Sequence, residues 1–215
     1  MEKKVERITV DMNAERLLDD LERYREKTLD LGATKAKIVK AEEIPVDERI
    51  VLKCRIPRCF GYGTSVNCPP HSMKPSELRE ILKRYGWAVF FIKDVPPEVI
   101  VRDRATIRER EAAYQSIFHI VNEVESMAFY DGHYLAFGFG AGSCRHTFCS
   151  QHESCQALEG KRCRMALRSR PSMEAVGIDV YKMAASAGWD IYPIGSSAKP
   201  EQVPKGTLAG IIIVQ

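Results

Sequence analysis

Apolar residues recur at helical spacing through Ala14, Leu17, Leu18, Leu21 and Tyr24, which predicts an amphipathic helix with Asn13 as its cap and Gly32 just past its end. Ala36 to Lys40 and Ile50-Val51-Leu52 read as extended, the second delivering the chain into Cys54, so the first cysteine is expected at a strand end. A proline in the first turn, then Leu78, Ile81, Leu82 and Tyr85 before Gly86, predict a further helix from about Lys74. The unbroken apolar run Trp87 to Ile92 fits a buried strand. A long helix follows from about Val101 to Tyr130, polar at first and then striped with Tyr114, Ile117, Phe118, Val121 and Met127.

Tyr134 to Phe139 is the next expected strand, and it feeds Gly140-Ala141-Gly142-Ser143-Cys144. A helix carrying Met173, Val176, Val180, Met183, Ala184 and Ala187 is expected from near Ser172 to Gly188. Short strands are expected at Asp190 to Ile194 and Leu208 to Val214, with a surface loop from Ser196 to Lys205 between them. The alternation is α/β in character and predicts a mixed sheet flanked by helices, with cysteine-rich loops at strand ends. Residues 1–215 are taken as one domain, with candidate metal-binding loops at about 54–70 and 142–170.

The charged start and the lack of any run of about 18 apolar residues argue against a signal peptide or membrane span, and place the protein in the cytoplasm. A formal net charge of +3 gives no reason to expect a nucleic-acid partner. In a reducing compartment, clustered cysteines point to metal or catalysis before disulfides. The chain has seven, in two windows: Cys54, Cys59 and Cys68, then Cys144, Cys149, Cys155 and Cys163.

Ligands close together on a loop are entropically cheap to gather, and both windows satisfy that. Neither contains the tight Cys-x2-Cys knuckle usual for structural zinc, and the wider spacing suits the larger body of an iron-sulfur cluster. Cys68-Pro69 is similar to the cysteine-proline step that ends many ferredoxin ligand runs. Arg55, Arg58, Arg145, Lys161, Arg162 and Arg164 flank the cysteines and would offset an anionic cluster, while Gly61, Gly63, Gly140 and Gly142 would let backbone amides approach the sulfurs. Four cysteines in the second window are enough to close a cube. Three in the first leave one iron looking for a ligand, such as His71, water or a substrate. Both windows could also surround one site.

His146 and His152 are read as polar loop or supporting residues, and Glu174 and Asp179 as helix-start or anchoring groups near the second window. The run Gly138-Phe139-Gly140-Ala141-Gly142 is only weakly like a phosphate loop, because a cysteine follows where a helix should start. The spacing required of a radical S-adenosylmethionine enzyme is absent.

The order of Cys-x4-Cys, Cys68-Pro69-Pro70-His71, a helix, an apolar strand and then Ala141-Gly142-Ser143-Cys144 resembles the predicted metal-binding family known as domain of unknown function 2284. Three more cysteines and the run Arg170 to Val180 complete the likeness, which extends from about Cys54 to Gly188. It implies metal binding, with iron-sulfur as the expected form and no settled reaction. This chain spaces its second cluster more widely than members commonly do, and has Ala166 where they place proline.

The leading expectation is therefore an iron-sulfur protein with one or two 4Fe-4S clusters, passing electrons within a redox complex or beside a partner enzyme. One alternative is an iron-sulfur enzyme with an open iron at Cys54, Cys59 and Cys68. Another is an interaction module stapled by zinc.

Overall fold

The computed structural model describes residues 5, 7, 8, 13–101, 107–195 and 197–215. Helix α1 spans Ala14–Asp30, with the Asn13 side chain accepting from the Glu15 amide at 2.9 Å. Strand β1, Lys35–Lys40, is followed by α2, Glu48–Arg55, and α3, Pro75–Leu82. Then come β2, Trp87–Val95, the single turn α4, Pro97–Ile100, and the long α5, Ile107–Tyr130. The expected start of that helix at residues 102–106 lies outside the described residues. Strand β3 is Phe137–Phe139, α6 is Cys144–Phe148, α7 is Val180–Ser186 and β4 is Gly206–Val214.

The four strands form one sheet in the order β1-β2-β4-β3. The α/β class holds, but the sheet is not mixed, since each of its three pairings is antiparallel. At its centre β2 and β4 pair from Trp87 opposite Val214 to Val95 opposite Gly206. Strand residues alternate faces, so Val89, Phe91, Leu208, Ile212 and Val214 pack with Leu21 and Tyr24 of α1 and Ile117, Val121 and Val124 of α5. Ala88, Phe90, Ile92, Ala209, Ile211 and Ile213 pack on the opposite layer with Leu78, Leu82, Met173, Val176 and Met183. Burial on both faces explains why both central strands read as unbroken apolar runs.

A polar pin joins α1 to the end of α5. Asp20 and His133 are both buried, with His133 Nε2 3.0 Å from Asp20 Oδ2, and the Tyr24 hydroxyl donates to Asp131 at 3.0 Å. Burial is the main cause that pushes the Tyr24 pKa far up, with Asp131 and Asp20 adding to it.

Three expectations are corrected. Ile50-Val51-Leu52 lie in α2, not in a strand, because the Asp47 side chain caps the helix by accepting from the Arg49 amide at 2.8 Å and Lys53 and Arg55 fall in its last turn. The helix expected from Ser172 to Gly188 is broken into a 3-10 turn, Glu174–Val176, and α7. Gly177 breaks it at φ +91°, after which Asp179 caps α7 by accepting from Lys182 N at 3.0 Å. Asp190 to Ile194 forms no strand, and Pro193 there could not donate to a ladder. In the loop from 196 to 205, Ser196 lies outside the described residues and Pro200–Gln202 form a 3-10 turn. No described helix is long and apolar enough to cross a membrane.

The Gly177 turn should be intolerant of a side chain. A Cβ there would lie 2.7 Å from Pro75 Cγ, on a backbone in the left-handed region. Gly177→Ala is expected to lower stability by about 1–3 kcal/mol, read as a lower urea midpoint, and an unchanged midpoint would contradict the role given to this residue.

Candidate metal centre

The first cysteine window joins α2 to α3. Cys54 sits in the last turn of α2, a correction to its expected place at a strand end, and the Cys59 amide donates to the Cys54 carbonyl at 2.9 Å. Tight turns then bring Cys68 into the interior, where its amide donates to Ser65 O and its own carbonyl accepts from the His71 and Ser72 amides. The Ser72 hydroxyl ties the end of the window to Ala175 O at 2.8 Å.

The second window leaves β3 through Gly140. Its first cysteine opens α6, a five-residue helix anchored on α5 by Gln115 Nε2 donating to Thr147 O at 3.3 Å and by the Phe118–Phe148 ring contact at 5.0 Å. Thus a helix does start at Cys144, though a short one. From Cys149 to Pro171 no residue is helical, in a strand or buried. The chain returns at Gly140, whose amide donates to Pro171 O at 2.9 Å and whose carbonyl accepts from Met173 N at 3.0 Å.

The two windows meet. Cys68 and Cys144 are each 7% exposed, Cys68 Sγ lies 3.5 Å from Ser143 Oγ, and Asn67 Nδ2 donates to Cys144 Sγ at 3.4 Å. Ser65 Oγ is fully buried with no oxygen or nitrogen partner, and its hydroxyl is an interaction that favours the Cys144 thiolate. A Cβ on Gly61 would stand 3.3 Å from Ser143 Cβ and 3.4 Å from Cys68 Sγ, so glycine permits this close approach. Phe60 of one window packs edge-on against His146 of the other at 4.6 Å.

All seven cysteines are free. Cys144 is pushed up to about 11 mainly by burial, opposed by Asn67 and Ser65, with Cys68 and Cys155 adding to the rise. Cys54 is also pushed up to about 11, by burial first and then by Cys59, Glu174 and Cys68. Burial and Cys163 raise Cys149, whereas Arg164 and Arg145 oppose the rise. The sulfurs thus lie within electrostatic reach of one another along and between the windows. Among the described residues, however, no three His, Cys, Asp or Glu side chains are gathered as a ligand group for one metal ion.

Several flanking residues have structural roles, which for Arg145 and Arg164 come in addition to their charge beside Cys149. Arg145 donates to the carbonyls of Cys149 and His152, and Arg164 to Ser154 O, so both brace the loop. Arg58 lies over the Tyr62 ring, Lys161 pairs with Glu159, and Arg170 forms a two-pronged ion pair with Glu125 of α5. Asp179 is a helix cap, as expected. Glu174, read as near the second window, acts on Cys54 of the first. Its carboxyl is crowded by protein although the residue keeps contact with solvent, and that crowding raises its pKa. His71 and His152 are exposed.

Sequence reasoning missed Ser65, Asn67, Ser143 and Ser169. Ser169 Oγ is 3.4 Å from Cys163 Sγ, which also accepts from Met165 N at 3.4 Å. Small polar residues near cysteines were the available signal, but such residues are common in any loop.

These donors fit a thiophilic metal or cluster in their chemistry: reduced sulfurs, with N–H and O–H groups directed at them. They also make a prediction for the metal-free chain. At pH 8 a thiol with its pKa near 11 is about one part in a thousand thiolate, and only the thiolate alkylates. Iodoacetamide labelling of Cys144, followed by mass spectrometry, should therefore accelerate steadily from pH 8 to 11. Asn67→Ala, which removes a stabilising donor, should slow it at each pH below 11.

The family model for predicted metal-binding proteins designated DUF2284 matches residues 37–213. No curated protein and no solved structure matches the chain. That match spans both cysteine windows and every strand but the outer residues of two, and on it the chain belongs to DUF2284, a family of predicted metal-binding proteins.

Proposed function

We propose that this protein is an iron-sulfur carrier, its cysteines holding one or two 4Fe-4S clusters that pass electrons to or from a redox protein or enzyme subunit. The observation that carries the reading is the meeting of the windows: Cys68 and Cys144 are buried together, and Asn67, Ser65 and Ser143 surround their sulfurs. Thiolates of a cluster accept such hydrogen bonds, which tune its potential.

When bound, the cluster supplies one-electron chemistry. The protein does the rest through its own residues. Cys54, Cys59, Cys68, Cys144, Cys149, Cys155 and Cys163 would be the ligands. Asn67 and the serines would draw charge from the sulfurs and raise the potential, as would the Met165 amide at Cys163. Burial of Cys68 and Cys144 keeps bulk water from that end of the site, while the exposed segment 150–154 leaves the other end open to a partner.

The second window supports the same reading from energetics. A run from Cys149 to Pro171 without regular structure or buried residues is long for a compact domain, and loops of that kind are commonly functional. Metal ligation by the three cysteines it carries would fix it, because metal binding and local folding are coupled.

Protein purified without oxygen should contain iron and acid-labile sulfide in equal amounts and show visible absorption that dithionite bleaches. Colourless protein with stoichiometric zinc would overturn the proposal in favour of a zinc-stapled interaction module. Loading should also protect the exposed Lys161, Arg162 and Arg164 from trypsin, with cleavage there accelerating at least tenfold after the metal is removed. Equal cleavage rates would show that the second window does not hold the metal.

A further inference from the structure

The start of α2 is anchored to the body of the protein, by the Asp47 amide donating to Gly177 O at 2.8 Å and by Arg79 pairing with Glu48. No residue along the helix is buried. Its last turn and the turn beyond present Leu52 and Ile56, 49% and 66% exposed and one helical turn apart, among the exposed cations Lys53, Arg55 and Arg58. Among the described residues none of these three cations pairs with an acidic side chain, and Arg58 lies over the Tyr62 ring at 5.6 Å. The partly exposed Cys54 and Cys59 lie in the same stretch of chain.

The charge is local. From Arg49 to Ser76 the chain has five Lys and Arg and no Asp or Glu, although its formal total is only +3. Nothing in the sequence offers this stretch a counter-charge of its own from residues 1–12, where three basic residues offset three acidic ones. Two copies set face to face here would oppose cation to cation, which disfavours self-pairing. The exposed segment 150–154 gives access to the site, but Glu153 is its one Asp, Glu, Lys or Arg, so it does not select an acidic partner.

Exposed aliphatic side chains ringed by arginine have the composition of a protein interface, with an apolar centre and a charged rim. Leu52 and Ile56 offer nucleic-acid bases no aromatic plane to stack on. We propose that the end of α2 and the turn leading to Cys59 are the docking face for a small acidic redox protein, with Leu52 and Ile56 at the centre of the contact and Lys53, Arg55 and Arg58 steering its approach. This rests on the carrier reading for the electron, and it brings the partner to the cysteines of the first window. One electron leaves the reduced partner and enters the oxidised cluster; no bond forms or breaks and no proton moves.

The test uses the full chain, prepared without oxygen and assayed for iron and sulfide, with a purified, fluorescently labelled acidic ferredoxin as the probe in stopped-flow measurements. The combined variant Lys53→Gln, Arg55→Gln and Arg58→Gln should slow association about tenfold or more at low salt, and the difference should fade as salt screens the charges. Lys35→Gln, Lys37→Gln and Lys40→Gln together remove as many charges from β1 and should change the rate less than about twofold. Ile56→Ser should speed dissociation about fivefold or more and leave the salt dependence as it was.

Undetectable binding, binding indifferent to salt, or equal slowing by the two combined variants would each overturn the docking face. Tighter binding of single-stranded RNA than of the ferredoxin through the same three residues would overturn it in favour of nucleic acid. A dimer in sedimentation that the Lys53, Arg55 and Arg58 variant dissociates would overturn it in favour of a second copy. Salt-sensitive ferredoxin binding by protein that holds no iron or sulfide would instead overturn the carrier reading and leave the docking face in place.

Discussion

The architecture depends on the long antiparallel pairing of β2 with β4, from Trp87–Val214 to Val95–Gly206. Both strands are covered on both faces, by α1 and α5 on one side and by α3, α7 and the Glu174–Val176 turn on the other. A sheet sealed in this way has no place for thiolates, whose charge cannot be left unsolvated in an apolar layer. The cysteines are accordingly found outside the sheet. The turn around Glu174 serves as a common floor for both windows: Asp47, just ahead of α2, donates its amide to Gly177 O, Ser72 closes the first window onto Ala175, and the second window re-enters the core at Met173.

Electrostatics divides the cysteines more finely than burial does. Cys144 is raised by its surroundings yet stands beside Asn67 and Ser65, which favour its anion, so burial disfavours a bare thiolate there and these two groups offset part of that cost. Cys149 is a contrasting case, because two arginines already oppose its rise. Those same arginines hold loop carbonyls, which makes their charge available near the sulfur at a fixed position.

Much of the framework could be read from periodicity. Leu17, Leu21 and Tyr24 marked α1, and Trp87 to Ile92 marked the central strand, because burial imposes a pattern that sequence displays directly. Ile50-Val51-Leu52 misled since β-branched residues favour strands in isolation, whereas the Asp47 cap decided the local outcome. The apparent helix from Ser172 failed for a related reason: its apolar spacing continues through Gly177, but the backbone there turns left-handed against Pro75. The grouping of the cysteines into two windows was legible at once. Their spatial partners were not legible, since the contact of Cys68 with Ser143 joins positions that no local pattern connects.

The hydrogen bonds at Gly140 give the second window a further property. Because the excursion begins and ends at the same point of the core, its length is nearly independent of the sheet. Doubling a flexible loop costs only about 0.6 kcal/mol in closure entropy. Insertions between Cys149, Cys155 and Cys163 can therefore accumulate in descendants of one ancestor without disturbing β3 or β4. Cysteine spacing in this window is accordingly a poor measure of kinship, and the residues at the neck of the loop are a better one.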